Sequence, residues 1–214
     1  MKLTRQLLLT SFIAVLALSG CSKKTSTRTS TDGSDATSAQ TGTGTTDAGK
    51  KGAKIDPKAT ALFQKALNAV AIGNNDLAIG LFTDMANDYP SLSGSHTNLG
   101  LIYFKDDDMD KAEASFGQAI SINEANPVAH THLGIIYRKK GRFTDAEQAY
   151  LKAIEFVPEY GLAHLNIGIL YELYLRKLAD ALRHYETYQS LQASEDKTVK
   201  KWIAGLKRQL KVPK

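Results

Sequence analysis

The sequence predicts an all-α fold, a linear stack of antiparallel helix pairs. Three observations carry the prediction. Small and bulky residues recur every 34 positions: Gly100, Gly134 and Gly168; Tyr103, Tyr137 and Tyr171; Leu99, Leu133 and Ile167; Ala78, Ala112 and Ala146; Phe82, Phe116 and Tyr150. That period, with small and aromatic residues at fixed offsets, marks a helical-hairpin repeat. Pro90 and Pro158 fall where the second helix of a pair has to stop, because proline cannot continue a helix. The chain closes on Val199, Trp202, Ile203, Leu206 and Leu210, which share one face at helical spacing.

The array does not begin at residue 1. In residues 1–20, Lys2 and Arg5 precede an apolar run from Leu7 to Leu18. That run is shorter than the ~20 residues a bilayer-spanning helix needs, so it reads as a leader. It ends in Leu18-Ser19-Gly20-Cys21, which resembles the lipobox of bacterial lipoproteins. The resemblance implies cleavage before Cys21 and acylation of that cysteine. Cys21 is the only cysteine, which excludes an intramolecular disulfide. Each buried methylene of an acyl chain contributes ~0.8 kcal/mol, so two or three chains would hold the protein on a membrane without a spanning helix. The residue after the cysteine is Ser22 and not Asp, which resembles the outer-membrane sorting choice of such lipoproteins. The expected location is therefore the bacterial cell envelope, at the periplasmic face of the outer membrane.

Residues 21–55 change character. From Ser22 to Lys54 there is no Leu, Ile, Val, Phe or Tyr, and Thr, Ser, Gly, Ala and Asp dominate. Such a segment has nothing to bury that would offset the entropy of ordering its backbone. It reads as a flexible tether, with an end-to-end distance on the order of 30 Å.

Residues 56–192 divide into four units of about 59–92, 93–126, 127–160 and 161–193. The third is the fullest: His130, Leu133, Gly134, Tyr137, Gly141, Ala146, Tyr150, Ala153 and Pro158 resemble the signature of the tetratricopeptide repeat. The resemblance implies a right-handed superhelix of stacked antiparallel helix pairs. It gives the glycines a mechanical role: close approach of the second helix, with Ala112 and Ala146 as the facing small surface. Tyr137 and Tyr150 are expected to fill the wider gaps between layers, and Gly141 to take the left-handed turn. The end units depart from the pattern. In the first, Ala66, Ala69 and Lys65 stand in the glycine, tyrosine and leucine columns. In the fourth, Leu175 occupies the turn, and Ala181 and Tyr185 fall one residue late, which places a one-residue insertion between Tyr171 and Ala181.

Residues 194–214 are expected to form a helix that caps the fourth hairpin; the alternative reading is a helix that meets a membrane surface or a partner. Ser194 is the expected N-cap, with Glu195 and Asp196 in the first turn and Lys207, Arg208 and Lys211 at the negative end of the dipole.

No chemistry rises above the packing. His96, His130 and His164 repeat at the same interval. Neighbouring helices lie on the order of 10 Å apart whereas zinc holds its ligand atoms at ~2 Å, so this column is expected to pack and not to ligate. Asp106, Asp108 and Asp110 alternate as in a calcium loop, but Lys111 and Gly117 stand where its glycine and closing glutamate should be. The acidic turn at Asp106 to Asp108 and the basic turn from Arg138 to Arg142 are instead expected to attract each other across adjacent repeats. No nucleophile set, phosphate loop or zinc-protease motif occurs, so the sequence implies no enzyme, no metal and no cofactor. A formal charge of +5 is too small to argue for nucleic acid.

In the family resembled, first helices line a concave groove. The residues mapping to it are Phe63, Leu67, Thr97, Asn98, Leu101, Phe104, Lys105, Thr131, His132, Ile135, Arg138, Lys139, Leu165 and Ile169. Together they describe an apolar floor with a basic patch, suited to a peptide with apolar anchors. Some members of the family clamp a terminal carboxylate with Lys, Asn and Arg. Only Asn98 matches, with Phe63, Leu67, Val128 and His132 at the other positions, so no clamp is expected.

Two roles are consistent with these features. One is a non-enzymatic scaffold or adaptor that recruits periplasmic or outer-membrane proteins, similar to lipoproteins that serve pilus assembly or hold cell-wall hydrolases. The other is a structural subunit of an envelope machine, with a homodimer formed through Tyr171, Tyr174 and Tyr188.

Overall fold

The structure is a computed structural model that describes residues 56–211. The expected leader 1–20, Cys21 and the expected tether up to residue 55 lie outside the described residues, as do residues 212–214. The described residues form nine helices and no strand. In chain order they are α1 (Pro57–Ala71), α2 (Asn75–Asp88), α3 (Ser93–Lys105), α4 (Met109–Ile122), α5 (Pro127–Lys139), α6 (Phe143–Phe156), α7 (Gly161–Leu170), α8 (Leu178–Ser190) and α9 (Lys197–Lys211). A π-helical turn, Tyr171–Leu175, continues α7.

Five of the nine described helices start on a side chain that satisfies free amide groups, and α3, α6, α7 and α8 start without one. The Asp56 carboxylate accepts from the Lys58 amide at 2.8 Å, and Pro57 occupies the first helical position, where its missing N–H is no loss. Asn74, Asp108 and Asn126 cap α2, α4 and α5 in the same way, at 3.1, 3.2 and 3.0 Å. Each cap of this kind contributes ~1 kcal/mol. The last helix departs from expectation. Its cap is Asp196, whose Oδ1 accepts from the amides of Thr198 and Val199 at 2.8 and 3.1 Å, and Ser194 and Glu195 lie outside it. A carboxylate offers two acceptor oxygens and charge at the positive helix end, and Asp196 is also held by the Tyr188 hydroxyl at 3.3 Å.

Consecutive helices pair as hairpins, and each second helix then packs on the next first helix. First helices also meet one another along the stack, α3 with α5 and α5 with α7, more closely than second helices do. The stack therefore curves with its first helices on the inside.

The glycine column makes room for one particular side chain of the second helix. A Cβ on Gly100 would lie 2.7 Å from the Phe116 ring, one on Gly134 would lie 2.4 Å from the Tyr150 ring, and one on Gly168 would lie 2.7 Å from the Tyr185 ring. Each glycine is thus the seat of an aromatic side chain from its own partner helix. Tyr150 does not fill a gap between layers; it lies inside its hairpin, 0 % exposed, as do Phe82, Phe116 and Tyr185. Fully burying such a ring contributes ~1.5–3 kcal/mol. In the first hairpin, where Ala66 replaces glycine, Phe82 turns its edge to Phe63 at 5.7 Å.

The four hairpin turns each carry one left-handed residue: Gly73, Asp107, Gly141 and Arg176, with φ of 76°, 61°, 75° and 60°. The first three keep the repeat interval and the fourth comes one residue late. The π-helical turn at Tyr171–Leu175 absorbs that extra residue, since a π turn is an α turn with one residue inserted. This locates the insertion that the sequence confined to residues 171–181.

The last helix covers the exposed end. Val199 and Leu206 are buried, and Trp202 stands 5.4 Å from the Tyr185 ring. Leu210, expected on the same face, stays 44 % exposed. Tyr171 and Tyr188 are buried, and Tyr174 lies on Phe143 at 4.9 Å. The tyrosines expected to serve a self-contact therefore pack within the chain.

Gly134→Ala should lose about 1–3 kcal/mol in urea denaturation, because the methyl group must displace a fully packed ring. Gly117→Ala, whose Cβ meets nothing within 4 Å, should gain about 0.5–1 kcal/mol from helix propensity. Equal effects at the two sites would contradict the ring-seat assignment.

Candidate functional site

The inner face is built from α1, α3, α5 and α7. The structure divides the expected groove residues into two groups. Leu67, Leu101 and Ile135 share one column of the repeat and are half-buried; Ile169, the fourth residue of that column, is buried, and half-buried Leu165, one turn earlier, continues the apolar ladder in the last repeat. Lys105 and Lys139 are exposed beside it, and Arg138 is half-buried. Phe63, Thr97, Asn98, Phe104, Thr131 and Ile169 are buried and do not line a surface.

Each of the buried residues is covered for a physical reason. Phe63 packs on Phe82. The Thr97 hydroxyl donates to the Ser93 carbonyl at 3.1 Å and accepts from the Asn126 amide at 2.8 Å, tying α3 to the cap of α5. Asn98 donates to the Gly94 carbonyl at 2.8 Å, so its amide is turned back on its own helix. Phe104 meets His132 edge-on at 5.2 Å with the Lys139 ammonium 5.5 Å above its ring. Thr131 and Ile169 are 1 % and 2 % exposed, enclosed between layers.

His132, expected in the groove, is largely absorbed into the contact between repeats. Its ring stacks on Phe116 at 5.1 Å, and Nδ1–H donates to the Val128 carbonyl at 2.8 Å. Burial lowers its pKa, which keeps the imidazole neutral.

The basic patch is also partly engaged. Lys139 reaches Asp107 of the preceding turn at 3.1 Å, an exposed pair that contributes ~0–1 kcal/mol. Arg138 Nε donates to the Tyr150 hydroxyl at 3.4 Å, and its guanidinium lies 5.9 Å from the Tyr174 ring. The charge at this position is thus held in place by the same tyrosine that seats on Gly134. Lys105 has no ion pair among the described residues.

The expected attraction between turns is present and extends along one edge. Lys140 bridges Asp110 and Glu113 at 2.7 and 2.8 Å, Arg142 reaches Glu113 at 3.2 Å, and Lys177 reaches Glu147 at 2.6 Å one repeat on. Asp106 accepts from Asn75 at 3.2 Å. The calcium-like aspartates are therefore engaged with protein donors. Among the described residues no group of three or more His, Cys, Asp or Glu is placed to hold a metal. No described helix is long and apolar enough to cross a membrane.

The histidine column packs and anchors. His130 Nε2–H donates to the Glu124 carbonyl at 2.8 Å, and His164 Nε2–H donates to the Pro158 carbonyl at 2.9 Å. Each ring thereby fixes the loop that precedes its own helix. The Nδ1 atoms of His164 and His184 lie 3.0 Å apart, so one ring donates and the other accepts. His184 was not singled out in the sequence; it lies outside the periodic columns. A depression of about 490 Å³ between α4, α5 and α6 was also not foreseen. Its charged lining is internally paired, Arg142 with Asp145 at 2.6 Å and Lys152 with Glu155 at 3.0 Å.

Fold and face together define a helical-repeat protein, one that presents a surface assembled from successive first helices. The comparisons narrow the class. A tetratricopeptide-repeat model matches residues 93–126 and a TPR-repeat model matches residues 134–173, so these two stretches carry TPR repeats. No curated protein matches the sequence. Among solved structures, that of Pseudomonas aeruginosa PilF is similar with a TM-score of 0.62 and 21% identity, covering 71% of this chain and 68% of that one. MamA is similar at 0.54 and 23%, covering 62% and 77%. The first TPR of Spaghetti (RPAP3), solved with the HSP90 peptide SRMEEVD, is similar at 0.52 and 22%, covering 56% and 94%. At these identities the likeness is one of fold.

Burial holds His184 neutral, assisted by His164 and Arg183, and pushes its pKa from 6.5 down to about 4. The unfolded chain then binds this proton more readily than the folded one between those values. Stability should be complete above pH 6.5 and fall as pH drops towards 4. His184→Gln should flatten that part of the melting-temperature profile; an unchanged slope would show that the group titrates as if solvated.

Proposed function

We propose that this chain is a non-enzymatic scaffold or adaptor that binds partner proteins or peptides through the face of its first helices. TPR repeats are typically non-catalytic and point to protein–protein interaction. The observation that carries the reading is the ladder of Leu67, Leu101, Ile135 and Leu165: one half-exposed aliphatic side chain per repeat on the inside of the curve. Repeats spaced by ~10 Å give the ladder a length on the order of 30 Å, which suits a helix of about 20 residues or an extended segment of about nine. The partner segment should therefore present apolar anchors, with acidic residues opposite Lys105 and Arg138. A terminal carboxylate should not be required, because Asn98 bonds its own helix and Phe63, Leu67, Val128 and His132 stand at the other clamp positions.

The proposal extends to location. The lipobox-like Leu18-Ser19-Gly20-Cys21, followed by Ser22, supports anchoring by acyl chains on Cys21 at the periplasmic face of the outer membrane. The partners would then be periplasmic or outer-membrane proteins. A role as a self-associating subunit receives less support, since Tyr171 and Tyr188 are buried.

A photo-crosslinking residue at Leu101 or Ile135 should capture partner protein, whereas one at the exposed Gln118 on α4 should not. Capture that is equal at all three positions would refute the groove. Labelled palmitate should enter the wild-type chain and not Cys21→Ala; incorporation into both, or into neither, would refute the anchor.

A further inference from the structure

The last helix carries a second surface that its capping role does not use. α9 contains Lys197, Lys200, Lys201, Lys207, Arg208 and Lys211 and no acidic residue. Its apolar side, Val199, Trp202 and Leu206, is turned onto the fourth hairpin. Lys197, Lys201, Arg208 and Lys211 are spaced so that they share the opposite side, and all four are exposed. Lys200 and Lys207 flank this line and are paired with Glu195 and Glu186 at 2.7 and 2.6 Å. None of the four central cations has an ion pair among the described residues. The result is a straight, unneutralised ridge of positive charge about 21 Å long.

We infer that the Lys197–Lys201–Arg208–Lys211 ridge docks on an anionic phospholipid surface. Charge complementarity sets the sign of the partner, and the shape and composition of the ridge select among anionic partners. It is convex, so it offers no cleft for a small anion. Three of its four cations are lysines, which act as hydrated point charges and lack the planar fork that recognises one carboxylate or phosphate bidentately. Only Ala204 lies among them, so the ridge has no large apolar anchor of the kind that dominates protein interfaces. Its one aromatic, Trp202, faces Tyr185 and cannot stack on a nucleobase. A fluid layer of negative headgroups requires none of these features. It attracts each lysine or arginine near its surface, roughly fivefold in affinity per residue, and the attraction is screened by salt. Because Val199, Trp202 and Leu206 are turned onto the fourth hairpin, the contact made by the ridge is electrostatic.

The test uses the full chain, so that any binding through other segments forms a constant background. Co-sedimentation would compare vesicles in which about one third of the lipid is phosphatidylglycerol with vesicles of phosphatidylcholine alone. The wild type should prefer the anionic vesicles at low salt and lose the preference at high salt. Lys197→Gln/Lys201→Gln/Arg208→Gln should reduce the preference on the order of a hundredfold. Lys197→Arg/Lys201→Arg should keep it, which separates loss of charge from loss of fold. The proposal is overturned if the wild type shows no preference or if the glutamine variant keeps the wild-type preference. It is also overturned if the glutamine variant loses crosslinks to an acidic protein while its vesicle binding is unchanged.

Discussion

The contact on which the stack depends is an aromatic ring lying on a helix that has no side chain beneath it. Phe116, Tyr150 and Tyr185 each press onto a glycine of the partner helix at distances that a methyl group would occupy. Glycine weakens an isolated helix by ~1 kcal/mol relative to alanine, and burial of the ring more than offsets this. The arrangement also explains why the alanines Ala112, Ala146 and Ala181 are completely buried. With the ring folded into the pair, nothing larger fits between the two backbones.

From this packing follows a separation of surfaces. The rings occupy the interior of each hairpin, while the turn edge is laced by ion pairs that run from one repeat to the next, as Lys140 does with Asp110 and Glu113. The inner face is left with modest aliphatic side chains and a few cations. Tyr150 connects two of these regions: its ring is the core of the third hairpin, and its hydroxyl, with a pKa raised to about 12 mainly by burial, receives the Arg138 guanidinium at the inner face. Core packing thus helps to orient a charge on the surface proposed to meet a partner.

The sequence made the repeat legible because periodicity is a property of columns, and columns of Gly, Ala and aromatic residues have few structural explanations. It was less informative about the groove. Phe63, Thr97, Asn98, Phe104, Thr131 and Ile169 occupy inward positions of their own helices, but whether such a position is open depends on how far the next layer overlaps it. That overlap depends on contacts distant in sequence, such as Asn126 with Thr97, which no local pattern reveals. The cap of α9 has a related cause: Ser194 and Asp196 are both good capping residues, and Asp196 is the one that also meets the Tyr188 hydroxyl, eight residues away. The insertion in the fourth unit could be detected from the late Ala181 and Tyr185, but its form could not, because several backbone geometries can take up one residue.

An extra residue within an α-helix would turn every later side chain by about 100° and misalign all that follows. Confined to the widened turn at Tyr171–Leu175, it leaves the next helix in phase: Tyr185 still finds Gly168, although the two are separated by one more position than Tyr150 and Gly134. The lock between helices is therefore more tolerant than the spacing that advertises it. The last hairpin thus keeps the mechanics of its neighbours without keeping their interval.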